Sequence, residues 1–261
     1  MSQSRSRIEK NLSFAGIVVL ENRLKPDTSS VLQELNSDAR VRTVMVTGDH
    51  PRTALSVARQ CGIFETAKDT AAIMCEVQRG KNRRNADDIS FLEIGTVEKK
   101  RLSRADVSRR LLSYGHGKGC NIVLTGAAFR ALAAELVEQK RRTPDSSTAT
   151  FISQLLRRCT VFARMSAPDK TLLVRLMKSE VGSLVGMCGD GANDAGALRE
   201  AAVGISLCGD EDGEVTASLA APLTSRITTI CAVASSMKEG RAAASCSVAA
   251  LKYMFMYSVL Q

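Results

Sequence analysis

The sequence predicts an α/β fold in which a mostly parallel sheet is covered by helices on both faces. Three observations carry that expectation. Short apolar runs rich in β-branched residues alternate with stretches whose apolar residues recur at helical spacing. Residues 42–47 run into Gly48-Asp49, a glycine and an acid placed where a strand must stop. Residues 183–187 lead into Cys188-Gly189-Asp190-Gly191-Ala192-Asn193-Asp194, which crowds carboxylates and an amide onto a glycine-punctuated turn. Parallel sheets of this kind bind ligands beyond the carboxyl ends of their strands, where both turns fall.

Taken in order, residues 14–20 (Phe-Ala-Gly-Ile-Val-Val-Leu) read as a strand and Glu21-Asn22-Arg23-Leu24-Lys25-Pro26 as the turn after it. Pro26-Asp27-Thr28 opens a helix to about Asn36, because proline suits a first helical turn and Val31, Leu32 and Leu35 share a face. Residues 42–47 form the next strand, and a helix from Pro51 to Cys61 stops at Gly62. Residues 65–118 are mixed and polar and read as the least structured part of the chain. Order resumes with a strand at 121–125, helices at 127–141 and 147–158, and a strand at 160–163. Ser166-Ala167-Pro168-Asp169 starts a helix, with Asp169 favouring the exposed amides of its first turn and Leu172, Leu173, Leu176 and Met177 on one side. A strand at 183–187, a helix at 194–201 and a strand at 203–207 follow.

The 261 residues, 44% of them hydrophobic, suffice for one large domain or two small ones. No run of 18 or more uncharged apolar residues occurs, and the first residues lack the apolar core of a signal peptide, so the chain alone is expected to be cytosolic. Its eight cysteines include no Cys-x-x-Cys pair and read as small reduced core residues, Cys188 among them. The net charge of +9 is concentrated: residues 79–110 hold ten Lys and Arg against five acids. With only Phe91 as an aromatic there, this reads as a solvated insertion and excludes a nucleic-acid interface.

The motifs point to phosphoryl chemistry. Asp190 and Asp194 are hard oxygen ligands of the kind Mg2+ takes, and glycines let a backbone approach phosphate closely. Thr47-Gly48-Asp49 lies at the same sheet edge, and Lys170 follows another strand by one helical turn. A hydroxyl, a lysine and paired carboxylates converging on one point form a site that works by charge neutralisation.

Thr47-Gly48-Asp49, then Phe162-Ala163-Arg164 with Pro168-Asp169-Lys170, then Gly189 to Asp194, together resemble the phosphorylation domain of P-type ATPases, in the haloacid-dehalogenase-like superfamily with its Rossmann-like sheet. Residues 16–26 and 161–207 are most similar to the type V branch, associated with cation and polyamine transport in endomembranes. The likeness extends to residues 217–225 and to Glu239-Gly240-Arg241 through Lys252-Tyr253-Met254. It implies ATP as substrate and Mg2+ as cofactor. Asp190 would ligate the metal with Asp194 nearby, and Asn193 would contact phosphate. Thr47 and Gly48 would bind phosphoryl oxygens, Lys170 would neutralise them, and Asp49 and Arg164 would lie near the ribose.

The resemblance also implies an organisation: a flexible N-terminus over 1–13, a partial phosphorylation domain over 14–230 with a basic insertion at about 65–118, and a stalk helix over 231–261 that opens a transmembrane helix. Residues 249–260, interrupted by Lys252, are too short to span a bilayer by themselves. The nucleophile motif Asp-Lys-Thr-Gly-Thr occurs nowhere in the sequence, and no segment corresponds to the nucleotide-binding, actuator or membrane domains. The implied function is a partial ATPase whose intact parent transports a cation or polyamine through an aspartyl-phosphate. The alternative is a non-catalytic module binding Mg2+, phosphate or a partner on a decayed scaffold. In related domains the strand entering the nucleophile motif is central, so its absence implies a gap or non-native pairing between the strands of Val44 and Val185. His50 stands where the family usually has Asn.

Overall fold

Val161, Phe162 and Ala163 show how the sheet is made. Successive side chains in a strand point to opposite faces, and here Val161 and Ala163 enter one apolar cluster while Phe162 enters another, all three fully buried. Ile122, Val123 and Leu124 alternate in the same way. Burial on both faces is why these runs are continuously apolar rather than alternating with polar residues.

The computed structural model describes residues 13–18, 23–64, 72–78, 89–94, 100–113, 121–142, 147–190, 193–208 and 221–260. The expectations for residues 1–12, Val19 to Asn22, His116, Cys120, Gly191, Ala192, residues 217–220 and Gln261 lie outside the described residues. Strands β1 (Met45–Val46), β2 (Ala72–Val77), β3 (Ile89–Ile94), β4 (Lys100–Leu102), β5 (Ile122–Thr125) and β6 (Val161–Ala163) form one sheet in the order β1-β6-β5-β2-β3-β4. β1, β6, β5 and β2 are parallel, and β3 and β4 continue the sheet antiparallel. A second, parallel sheet holds β7 (Gly186–Gly189), β8 (Val203–Leu207) and β9 (Leu223–Ser225).

Helices cover both faces of the larger sheet. Helix α2 (Pro51–Gln60) lays Ala54, Leu55 and Ala58 on the face that carries Val123, Val161 and Ala163. Proline at its start and the αL residue Gly62 just beyond its end bound it as the sequence predicts. His50 caps it, its Nδ1 accepting from the Arg52 amide at 3.3 Å, which is the work an Asn side chain would do there. The opposite face meets α4 (Gly126–Arg142), α5 (Ser147–Arg158) and α6 (Ala167–Ser179), where Phe129 and Phe162 pack edge to face at 6.1 Å between centroids. Short helices α1 (Thr28–Gln33, continued by a π-helical turn over Glu34–Asp38), α3 (Arg104–Ser113) and α7 (Ala195–Glu200) and the long α8 (Cys231–Leu260) complete the described helices.

Three expectations need correction. The described residues within 65–118 are not irregular: they supply β2, β3, β4 and α3. Its charges hid this because several are paired across elements, Arg110 with Glu93 at 2.7 Å and Arg104 with Glu135 at 3.1 Å, and Arg104 also lies over the Phe151 ring at 4.6 Å. The strand expected over 14–20 does not form in its described part: Ser13 to Val18 are exposed and unpaired, since a strand needs a neighbouring edge. Not every cysteine is a core residue, because Cys246 is exposed on α8.

The break between the Val44 and Val185 segments is present. β1 ends the larger sheet on one side and β7 ends the smaller one, so no described strand joins them.

Candidate phosphate and metal site

Helix α6 sets the position of Lys170. Its first turn is fixed by Asp169, whose Oδ2 accepts from the Ser166 amide at 3.0 Å, the Ser166 hydroxyl at 2.7 Å and Arg130 at 2.5 Å. Asp169 is 4% exposed, so these bonds replace the water it has lost. Lys170, the next residue, then reaches Asp194 at the start of α7, Nζ to Oδ1 2.6 Å, with both side chains largely buried. The Asp194 carboxylate makes no cap on α7, since it is turned to Lys170 instead.

Two glycines allow this approach. A Cβ on Gly189, the last residue of β7, would stand 2.5 Å from Asp194 Oδ2, and one on Gly196 would stand 2.5 Å from Thr171 Oγ1. Neither distance is possible for a real side chain. Glycine at 189 and 196 therefore permits α7 to lie against both β7 and α6, which brings Asp194 to Lys170.

Thr47 follows β1. Its amide donates to the Phe162 carbonyl and its own carbonyl accepts from Met165, while its Oγ1 accepts from the Asp49 amide at 3.1 Å. The hydroxyl proton of Thr47 is thereby left to donate to a ligand. The Gly48 amide has no acceptor among the described residues.

These groups share one open cleft of about 600 Å3, lined by Thr47, Gly48, Lys170, Asp190, Asn193 and Asp194 together with Val46, Leu207, Cys208, Lys25 and Thr228. Asp190 and Asn193 are exposed and make no ion pair among the described residues. The expected Asp49 and Arg164 do not line the cleft. They meet each other beside it, the Arg164 amide donating to the Asp49 carbonyl at 3.0 Å, with Arg164 held at φ 56°. Lys25 and Thr228 were not singled out as site residues by the sequence. The Lys25 ammonium donates to the Thr228 carbonyl, a contact spanning 203 residues that no local pattern announces. The only signal was the Asn22-Arg23-Leu24-Lys25-Pro26 turn.

Cys188 lies beside the site, half-buried on β7. Burial, reinforced by the nearby Asp194 carboxylate, pushes its thiol up to about 11, so it stays protonated at neutral pH and is no nucleophile. Among the described residues no cluster of three or more His, Cys, Asp or Glu side chains forms a self-sufficient metal cage. A Mg2+ site commonly uses one or two carboxylates and draws its other oxygens from water and phosphate. Asp190, with no partner of its own among the described residues, fits that role.

The chain matches known proteins in two ways. Residues 3–86 match a family described as haloacid dehalogenase-like hydrolase. Nearly the whole chain aligns with transport ATPases. It is 36% identical to the human probable cation-transporting ATPase 13A4, covering 99% of this chain and 20% of that protein. It is also 36% identical to the vacuolar cation-transporting ATPase YPK9 of Saccharomyces cerevisiae (99% of this chain, 16% of that protein). The mouse polyamine-transporting ATPase 13A3 is 35% identical, over 99% of this chain and 20% of that protein. The chain thus spans at most about a fifth of these relatives. Its α/β body is haloacid dehalogenase-like, and along 99% of its length the chain is similar to part of the P-type cation- and polyamine-transporting ATPases.

Proposed function

We propose that the cleft handles the phosphoryl group of ATP within a larger P-type ATPase that moves a cation or a polyamine across an endomembrane through an aspartyl-phosphate. The observation that carries this reading is the meeting of Thr47, Lys170, Asp190 and Asp194 in one cleft at the carboxyl ends of two strands in separate sheets. Names of the similar proteins, cation- and polyamine-transporting ATPases, agree with it.

In this reading Lys170 meets phosphoryl oxygens with an ammonium that Asp194 keeps in place, and Thr47 and the Gly48 amide donate to the same oxygens. Asp190, with Asn193 beside it, would hold Mg2+, which when bound neutralises phosphate charge. Asp49 and Arg164 sit on the ribose side, beyond the cleft rim. Residues 14–230 act as part of a phosphorylation domain and residues 231–261 as its stalk and the opening of a membrane helix. Nucleotide-binding, actuator and membrane domains of the longer protein are its partners. The 261 residues contain no Asp-Lys-Thr-Gly-Thr sequence, so this chain alone binds phosphate without forming the covalent intermediate.

The test is thermal denaturation with Mg2+ and inorganic phosphate. A ligand held only by the folded state adds about 2.7 kcal/mol at a hundredfold excess over its dissociation constant. Wild type is expected to melt higher with both ligands and Asp190→Ala to show no shift. Equal shifts in the two proteins would overturn the assignment. Radiolabelled ATP followed by acid quench is expected to leave the chain unlabelled.

A further inference from the structure

The amino ends of the parallel strands carry positive charge that no carboxylate balances. Arg42 precedes β1 by three residues, and its guanidinium donates to the Cys159 carbonyl. Arg157 and Arg158 stand just before that carbonyl, at the end of α5. Arg157 donates in turn to the Val181 carbonyl at 3.2 Å, and Lys140, at the end of α4, pairs with the neighbouring Glu180. Arg141 and Arg142 follow, Arg142 paired with Glu138 at 2.8 Å. Arg42, Arg141 and Arg157 have no carboxylate partner among the described residues. Burial of its head, and then the like charges of Arg158 and Arg157, lower the Arg42 pKa, so this group gains from a nearby anion. Bases at a helix end offset the helix dipole, which accounts for the last turns of α4 and α5. It does not account for Arg42, which lies outside any helix.

Beside these cations runs an open groove of about 520 Å3, lined by Lys140, Arg157 and Arg158 together with Thr150, Ser153 and Gln154. Leu112, also on the groove, is 68% exposed. Hydroxyl and amide groups among cations, with an apolar side chain at hand, suit a phosphate-bearing headgroup attached to hydrocarbon.

The course of α8 says what faces this edge. Cys231 meets Asp27, Ala234 meets Val31 and Leu35, and Lys238 pairs with Glu34, so α8 runs beside α1 in the same direction. Helix α1 leaves the cleft, where Lys25 lies, and its π-helical turn ends at Asp38, shortly before Arg42. Helix α8 therefore runs from the cleft toward the amino edge and leaves the body there. At 1.5 Å per residue Asp38 lies about 6 Å beyond Glu34, level with about Ala242. From Ala242 to Leu260 Lys252 is the only charge, and this stretch is exposed throughout. The apolar part of α8 thus begins level with the basic edge, which turns that edge toward any bilayer the helix enters.

We propose that the basic edge formed by Arg42, Arg157, Arg158 and the end of α4 docks on anionic phospholipid headgroups where α8 enters the membrane. The docked edge fixes the height of the body above the bilayer, with the cleft at the carboxyl ends of the strands turned away from lipid. The inference rests on the reading of α8 as the opening of a membrane helix and is independent of what the cleft binds.

Titration of the full chain with two kinds of vesicle tests it: phosphatidylcholine alone, and phosphatidylcholine with about one-fifth phosphatidylserine. Each Lys or Arg near an anionic surface adds about fivefold in affinity. Wild type is expected to bind the anionic vesicles at least about 100-fold more tightly than the neutral ones. Arg42→Gln with Arg157→Gln and Arg158→Gln is expected to lose about 100-fold on the anionic vesicles and nothing on the neutral ones. The same three positions changed to Lys, which keeps the charge and removes the guanidinium bonds, are expected to retain the preference. Should the triple Gln variant fail to fold, Arg141→Gln with Arg157→Gln changes two exposed side chains and is expected to lose about 25-fold. Equal binding of wild type to both vesicles overturns the docking while leaving α8 in lipid, whereas no binding to either overturns the reading of α8 as well. A preference that survives the Gln variants places the anion elsewhere and overturns the assignment. Binding of soluble polyglutamate as tight as that of the anionic vesicles gives the edge to an acidic protein and overturns it equally.

Discussion

Asp194 is held from two sides, by the Lys170 ammonium at 2.6 Å and by the absence of a side chain on Gly189. Gly189→Ala would place a methyl 2.5 Å from Asp194 Oδ2, so the carboxylate must leave Lys170 or β7 must shift. The variant is expected to lose about 1–3 kcal/mol of stability, as overpacked sites do, and to lose the melting shift induced by Mg2+ with inorganic phosphate. Calorimetry with and without ligands reads both effects. A variant that keeps the ligand shift would show that Asp194 does not hold the phosphate site together. Cys188 gives a second test at this scale. With its thiol pushed up to about 11 by burial first and Asp194 second, only about one molecule in a thousand is thiolate at pH 8. Iodoacetamide is expected to label exposed Cys246 at least about 100-fold faster than Cys188, and Asp194→Asn is expected to narrow the difference. Peptide mapping by mass spectrometry follows both sites.

Among the elements, β3 and α3 are tied by Glu93 and Arg110, whose guanidinium gives the carboxylate bonds of 2.7 and 3.1 Å. That hydrogen bonding holds the Glu93 carboxyl below the usual carboxylate range, against a smaller opposing effect of burial. A depressed folded pKa stabilises above the unfolded pKa of about 4.3, and the gain is lost as pH falls through the folded value. The melting difference between wild type and Arg110→Met is therefore expected to be full at pH 7 and to shrink steadily below about pH 4. A difference independent of pH would mean that Arg110 contributes by packing alone. This pair also explains why β2, β3, β4 and α3 are not legible in the sequence. Their connections are polar and charged, and a buried glutamate such as Glu93 looks like surface until its arginine, 17 residues away, is known.

At the scale of the whole molecule, the body of the protein grips only the base of α8. Val31 and Leu35 of the α1 region pack on Ala234, Glu34 pairs with Lys238 at 2.8 Å, and Cys231 reaches Asp27 at 3.7 Å. Beyond residue 237 every described residue of the helix is exposed, including Leu251, Tyr253, Phe255 and Val259. Residues 249–260 are by themselves too short to cross a bilayer, but they continue a single helix of 30 residues. By length and composition it is long and apolar enough to cross a membrane, about 45 Å at 1.5 Å per residue. The chain is expected to float with phosphatidylcholine vesicles in a density gradient, and the paired change Leu251→Asp with Phe255→Asp to leave it in the aqueous fraction. A wild-type chain that remains monomeric in the aqueous fraction would count against a role for α8 in lipid.

The sequence by itself determined the elements whose signals are local. The double-sided burial of 121–125 and 160–163, the proline and glycine bounding α2, and the Ser166–Asp169 start of α6 all follow from residues within a few positions of one another. It also named the groups that meet in the cleft, because strand ends followed by Gly-Asp have few other uses in a parallel sheet. Only the tertiary structure decided which of them meet. Lys170 and Asp194 are joined across 24 residues, Lys25 reaches a carbonyl 203 residues away, and Asp49 and Arg164 pair with each other outside the cleft. It alone decided that residues 72–77, 89–94 and 100–102 extend the sheet and that β1 and β7 are separate edges among the described strands. The physical reason is common to all of these. Periodicity and turn chemistry report the conformation of a short stretch, whereas strand pairing, ion pairing and the burial of a charge are settled by partners whose distance along the chain no local pattern encodes.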